Sequence, residues 1–388
     1  MKDKKRIFLD HASTTPIDRR VYSVMGPFLK KQFANPSALY KEGVLAKKFL
    51  EEFRLRTARV VGALKDEIVF TGSGTEADNL ALFGVFDLHL GRIKKPHLIV
   101  SQIEHPAVLE AARKIEKLGG RVTYLPVDGE GIVDVKVLAK ALRRDTVLVS
   151  IMHSNNEIGT VQNVREIAKE IRRFKKNKTN NKNLPYFHTD ASQSANYFKL
   201  NVEKLGVDMM TLDGSKIYGP KGVGMLFVKR GSEISPQIIG GGQENKMRSG
   251  TENIANIAGF AKALEIAQDT SEKEAKRLTT LRDYCTREIT KRYPKAEING
   301  SNEKRLPNNV NVCFPGIDGE FAVIKLDVLG VACSSSSSCR TLSENTSSYV
   351  IDALGKKRCR ESSLRFTLGR TTTKQEINAL LEALSFLA

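Results

Sequence analysis

No stretch of the 388-residue chain approaches the roughly 18 to 20 consecutive apolar residues that a helical membrane span requires, which excludes an integral membrane protein of that kind. A secretory leader is not expected either, because the basic opening MKDKKRIFLD passes straight into a short strand-like run. Cysteine is scarce. Cys285, Cys313, Cys333, Cys339 and Cys359 are an odd number without the density of a disulfide framework, so reduced thiols in a cytoplasmic setting are the expectation. Internal repeats and a long flexible linker are lacking. Acidic residues are in the minority, 44 against 62 Lys and Arg, for a formal charge of +18. That surplus invites nucleic acid as a partner. The basic residues, however, are spread through helical stretches such as RKIEK and KEIRR, which make solvated faces rather than a groove, so direct nucleic-acid binding is not expected. One cluster, RRFKKNKTNNKNLP at 172–185, reads as an exposed loop or fraying helix end.

What is present is an α/β alternation. Apolar, β-rich runs at 67–71, 97–102, 121–126, 146–152, 185–189, 207–212 and 223–228 are separated by helical patterns, which predicts a layered α/β unit over 16–260. After about 260 the pattern changes to helices (IAGFAKALEIA, EKEAKRLTTLRDYC) and short strands near NVNVCF and SLRFTL. A smaller α+β domain over 261–388, completed by residues 1–15, is expected, and a hydrophobic content of 40% suffices for both cores.

Three segments carry chemistry. In LDGSKIYGPKG, Lys216 sits in a Gly-bounded turn after the apolar run VDMMTL; a lysine held in a partly desolvated turn loses its proton more easily and can form a Schiff base, although Gly-flanked lysines are also common in ordinary loops. In FHTDASQS, Asp190 follows a short strand, where it serves either as a helix N-cap or as a buried counter-charge for a protonated ring nitrogen; Gln193 lies between it and Lys216. The stretch EIVFTGSGTEADN reads as strand, glycine turn and helix start, with Gly72, Gly74 and Thr75 at a junction suited to an anion. It matches neither G-x-G-x-x-G nor G-x-x-x-x-G-K-[ST], so a nucleotide is not the natural ligand.

The ordered series LDHASTTP, NPSA, FTGSGTEADN, EHPAVL, MHSNNEIG, HTDASQS, SKIYGPKGVG, GGGQENKMRSGT, the Cys339 loop and LRFTLGR resembles the cysteine desulfurases, group I and NifS/IscS-like, within the class V aminotransferase superfamily of pyridoxal 5'-phosphate (PLP) enzymes. The resemblance runs from about residue 7 to the C-terminus. It implies the type I PLP-dependent transferase fold (aspartate aminotransferase-like), with a mainly parallel seven-stranded sheet. It implies too that Lys216 holds PLP and moves a substrate proton, that His105 stacks on the cofactor ring, and that Asp190 and Gln193 contact the ring nitrogen and oxygen. Gly74, Thr75 and Ser215 would bind the phosphate, and Thr251 would reach the phosphate of a neighbouring subunit, which implies a homodimer. Asn156 and Arg365 would clamp the carboxylate of L-cysteine.

The nucleophile implied by the resemblance is Cys339, in VACSSSSSCRTLSENTSSYV, where five consecutive serines contribute little to a core and Arg340 can lower the thiol pKa. Sulfur would leave L-cysteine as a persulfide on Cys339, for an iron–sulfur scaffold or a tRNA-thiolating enzyme; because the chain stops just after EINALLEALSFLA, where housekeeping relatives continue into a scaffold-docking tail, the second acceptor gains weight. Another class V enzyme, such as a selenocysteine lyase or an aminotransferase, would keep Lys216, Asp190 and Arg365 without needing Cys339. A basic RNA-binding protein would leave the whole set unexplained. Three features depart from the family pattern. Ser215 replaces a histidine, Cys333 is an extra thiol six residues before Cys339, and Asp213 replaces a serine and is expected to turn away from the phosphate or to be neutralised by a base.

Overall fold

The computed structural model describes residues 6–178, 183–335 and 347–387. Part of the basic 172–185 stretch and Cys339 with most of its loop lie outside the described residues.

The seven apolar runs become seven strands of one sheet: β1 (Ile68–Thr71), β2 (His97–Ser101), β3 (Arg121–Leu125), β4 (Thr146–Ser150), β5 (Tyr186–Asp190), β6 (Met209–Asp213) and β7 (Gly224–Val228). Their spatial order is β1-β7-β6-β5-β4-β2-β3. Only β7 runs against its neighbours β1 and β6; the other pairings are parallel. Parallel sheets bury both faces, which is why these strands read as continuous apolar runs. Ile99, Met225 and Phe227 pack on one face and Leu98, Val100 and Leu226 on the other, each against its own layer of helices. On the second face lies α1 (Gly74–His89), followed by α2 (Pro106–Lys117).

A 39-residue helix, α3 (Ile254–Arg292), joins the two cores. Ile254, Phe260 and Leu264 pack into the first core, whereas Leu278, Cys285 and Ile289 pack into a separate one beneath a four-stranded antiparallel sheet. That sheet contains β8 (Asn309–Cys313), β9 (Ser334–Ser335) and β10 (Ser363–Thr367), in the order β9-β10-β8 with Glu297–Ile298 at the far edge. The N-terminal Ile7–Phe8 pairs in parallel with Val331–Ala332, and Asp10 bridges to Thr367, so the start of the chain is tied to its C-terminal third.

The expectation of five reduced thiols is corrected by Cys313 and Cys359, which form a disulfide with Cα atoms 5.3 Å apart. Both are buried in a small apolar cluster with Ile103, Met152, Val350 and Ile351, where β8 meets the turn after the short helix α4 (Tyr349–Ala353). Folding brings together residues 46 positions apart, and nothing in their spacing announces it.

Candidate active site

The parallel strands deliver their loops to one edge of the sheet, the carboxyl end, where open α/β sheets bind ligands. β1 leads through Gly72-Ser73-Gly74 into α1, whose N-cap Ser73 accepts the Glu76 N–H at 3.1 Å. The close approach here requires a glycine on the neighbouring strand: a Cβ on Gly224 would lie 2.4 Å from the Ser73 carbonyl carbon.

β6 leads into a single 3-10 turn, Gly214–Lys216, before the chain reverses into β7. Gly214 is needed because a Cβ there would come within 2.7 Å of the Pro220 carbonyl oxygen. The turn projects Lys216, whose Nζ donates to the backbone oxygen of Ser13 on the N-terminal segment.

Asp213 departs from expectation. It points into the α1 N-terminus rather than away from it: Oδ2 accepts the Gly74 N–H at 2.8 Å, while Oδ1 accepts the Ser215 N–H at 2.8 Å and the Ser215 hydroxyl at 2.5 Å. The cause is local. Two backbone donors converge at the end of β6, and a carboxylate at the N-cap of the 3-10 turn satisfies both. The Lys216 Nζ bonds Ser13 rather than Asp213.

Asp190 closes β5 and accepts the Ser192 N–H at 2.9 Å, so one of its oxygens serves the following turn. Gln193 donates to the Ala12 carbonyl at 2.9 Å. His105, after β2, caps α2 by accepting the Ala107 N–H on Nδ1 at 3.2 Å, which leaves the ring proton to Nε2. Burial lowers the His105 pKa, against the raising influence of Asp190, and keeps the ring neutral. Its neighbour Glu104 is fully buried, accepts from Ser101 and from the Met152 N–H, and has its pKa pushed up to about 8 by burial.

Arg365 on β10 is 3% exposed and firmly held: one guanidinium nitrogen donates to Asp10 and Ser13 at 2.8 Å and to Ser334 at 3.0 Å, and another to the backbone oxygen of Asn156 at 3.1 Å. Its Nε is buried and has no partner among the described residues.

Of these residues Gly74, His105, Asp190, Gln193, Asp213, Lys216 and Arg365 line one cavity of about 210 Å³, together with Ala12, Ser13, Thr75, Asp78, Met152, Asn156 and Ser192. Eight of the ten sequence-expected residues among those described therefore converge. Ser215 is turned to Asp213, and Thr251 lines a separate cavity of about 170 Å³ with Gly72, Arg248 and Asn253. The described residues flanking the Cys339 segment are anchored at the site: Ser334 on Arg365, Ser348 on Glu157, and the Tyr349 hydroxyl on the Glu104 carbonyl at 2.7 Å. Cys333 is a poor thiolate, because burial first, with Asp10, pushes its pKa up to about 12.

Asp78 is the functional-site residue that sequence reading passes over. It is 1% exposed on α1, one helical turn after Gly74, and burial raises its pKa well above the usual carboxylate range, helped by the charge of Asp190. An acidic residue on the buried stripe Ala77, Leu80, Ala81 was the available signal. Asp10, Ser13 and Glu104 also lay inside recognisable motifs without being singled out.

A lysine, a carboxylate and a neutral imidazole around one cavity match the donor set that PLP requires at its ring end, and a helix N-terminus faces the same cavity at the phosphate end. At the phosphate end, part of the donor set is already engaged by Asp213.

The profile of the family "Aminotransferase class-V" matches residues 7–380. The chain is 45% identical to "Cysteine desulfurase IscS" of Dictyoglomus turgidum over 98% of its own length and 94% of that protein's. Among solved structures it is similar to a "NIFS-LIKE PROTEIN", with TM-score 0.90 and 35% identity over 98% of this chain and all of that one. It is also similar to "SspA in complex with cysteine", with TM-score 0.80 and 32% identity over 93% of this chain and 98% of that one. The chain thus belongs to the class V aminotransferases, in the cysteine desulfurase branch with the type I PLP fold.

Proposed function

We infer that this protein is a PLP-dependent cysteine desulfurase that converts L-cysteine to L-alanine and keeps the sulfur as a persulfide on Cys339. The carrying observation is the convergence of Lys216, His105, Asp190 and Arg365 on one cavity, in a chain with desulfurase relatives along its whole length. A relative solved with cysteine supports the substrate.

PLP would be held by Lys216, with Asp190 against the ring nitrogen, His105 and Gln193 at the ring, and Gly74, Thr75 and Ser215 at the phosphate; when bound it supplies an electron sink that labilises the substrate's bonds. Arg365, pre-positioned by Asp10, Ser13 and Ser334, would take the substrate carboxylate with Asn156. The Lys216 amine would carry the α-proton. The neutral His105 would donate through Nε2. The Cys339 thiolate would attack the substrate sulfur, the C–S bond would break, and the β-carbon would take up a proton. L-cysteine and a thiol thereby become L-alanine and a persulfide, with no external oxidant.

We further propose a homodimer in which Thr251 of each subunit serves the other's cofactor, and a sulfur acceptor that is either an iron–sulfur scaffold or a tRNA-thiolating enzyme. The reading is tested by turnover of L-cysteine with a thiol reductant. Equal yields of alanine and sulfide that vanish in Cys339→Ser are expected; pyruvate, or turnover indifferent to Cys339, would point to another class V reaction.

A further inference from the structure

We propose that the Asp213 carboxylate is the resident anion of the phosphate seat, so that the phosphate of the cofactor binds in competition with the protein's own side chain. The inference rests on the reading of the Lys216 cavity as a PLP site.

One carboxylate holds three donors, the Gly74 N–H, the Ser215 N–H and the Ser215 hydroxyl, with both of its oxygens used. These include two residues that a phosphate at this helix start would use. The contact is close: a Cβ on Gly74 would sit 3.0 Å from the Asp213 Cβ and 3.1 Å from Oδ2, so a side chain at position 74 would crowd Asp213 in this orientation. Of the other donors at the α1 N-terminus, the Ala77 N–H is bonded to the Ser73 carbonyl at 3.1 Å, and Thr75 alone keeps its N–H without a partner among the described residues. Glu76 donates its N–H to Ser73, and its side chain accepts the Gly72 N–H at 2.8 Å while pairing with Arg248 at 2.8 Å. Most of the seat is thus satisfied internally, and it carries two carboxylates, of which Glu76 pairs with Arg248 and Asp213 has no ion pair among the described residues. Arrival of a phosphate means that Asp213 surrenders its donors or shares them with a second anion a few ångströms away, and both reduce the contribution of phosphate to affinity.

Two consequences follow for ligand choice. The chain holds PLP chiefly through Lys216 and the ring contacts, and it discriminates little between PLP and pyridoxal, which lacks the phosphate. Replacing the carboxylate by a neutral side chain restores an anion seat with unclaimed donors.

The test uses the full-length protein freed of cofactor, with Asp213→Asn, which keeps the shape, and Asp213→Ser, which keeps a hydroxyl. Each protein is titrated with PLP and with pyridoxal by visible absorbance, with Lys216→Ala as the blank, and thermal melts are recorded with inorganic phosphate. Both variants are expected to bind PLP about tenfold or more tighter than the natural protein, with pyridoxal affinity nearly unchanged. Inorganic phosphate is expected to raise the melting temperature of the variants and not of the natural protein. Equal PLP affinity in all three proteins, together with phosphate stabilisation of the natural one, would overturn the proposal and leave the PLP reading standing. No Lys216-dependent absorbance in any of them would remove the PLP reading and this proposal with it.

Discussion

At the scale of single residues, burial decides which groups carry charge. Glu104 keeps its proton up to about 8, whereas a free glutamate releases it near 4.5. Between those values the folded chain holds a proton that the unfolded chain has lost, so its contribution to stability falls as pH rises through that window. Glu104→Gln imitates the protonated form and keeps an acceptor for Ser101 and Met152. Chemical denaturation at pH 5 and pH 9 is expected to show the natural protein losing on the order of a few kcal/mol relative to this variant across the window; parallel pH profiles would contradict a buried neutral Glu104. Lys216 and Asp190 were legible from sequence because Asp190 closes an apolar run that becomes a strand and Lys216 ends the short turn that follows another, so that the place of each at the sheet edge follows from its neighbours alone. The orientation of Asp213 was not, because its decisive partner is the N–H of Gly74, 139 residues earlier. Local chemistry suggested repulsion between two anions, and the folded chain instead supplied donors from a distant turn.

At the scale of elements, the site depends on how closely β7 and the loop at 240–251 approach the glycine turn. Gly224→Ala would force a Cβ against the Ser73 carbonyl, at a cost of about 1 to 3 kcal/mol and with weakened cofactor uptake, readable as a lower melting temperature and a higher PLP Kd. An unchanged Kd would show that β7 does not set the geometry of the seat. The loop is fixed from behind by Glu244, which is 5% exposed, pairs with Arg54 at 2.6 Å and accepts the Phe70 N–H at 2.8 Å. Glu244, Asn245 and Lys246 all adopt left-handed backbone angles, a run that side chains other than glycine resist. Glu244→Gln leaves the buried Arg54 with only the more exposed Glu51, 3.5 Å from its Nε, as counter-charge and is expected to cost about 3 kcal/mol in denaturant unfolding; a loss below about 1 kcal/mol would mean that the pair is not what holds the loop. All seven sheet strands were legible, because a parallel sheet buried on both faces leaves an unbroken apolar record. The continuity of α3 was less so: its second half is mostly polar, and it buries only Leu278, Cys285 and Ile289 of its last turns. The Cys313–Cys359 pairing left no record at all, since it comes from the packing of β8 against a turn that follows a loop.

At the scale of the whole molecule, Thr251 opens to a different cavity from Lys216 within the same chain, which is the arrangement expected if it serves a neighbouring subunit. Exposed Tyr22, Leu29, Phe33, Tyr40, Val44 and Ile239 give a second copy apolar area to cover. Light scattering is expected to give a mass of twice 43.0 kDa, and Thr251→Ala to weaken PLP binding without changing that mass; a monomer with full PLP affinity would contradict the shared site.

The most direct test of the account is to incubate the PLP-loaded protein with L-cysteine without reductant and to locate any added sulfur by peptide mass spectrometry. The account predicts one extra sulfur on Cys339, absent from Lys216→Ala, with Cys333 unmodified because its half-buried thiol has its pKa pushed up to about 12. Turnover that leaves Cys339 unmodified, or sulfur placed first on Cys333, would contradict it.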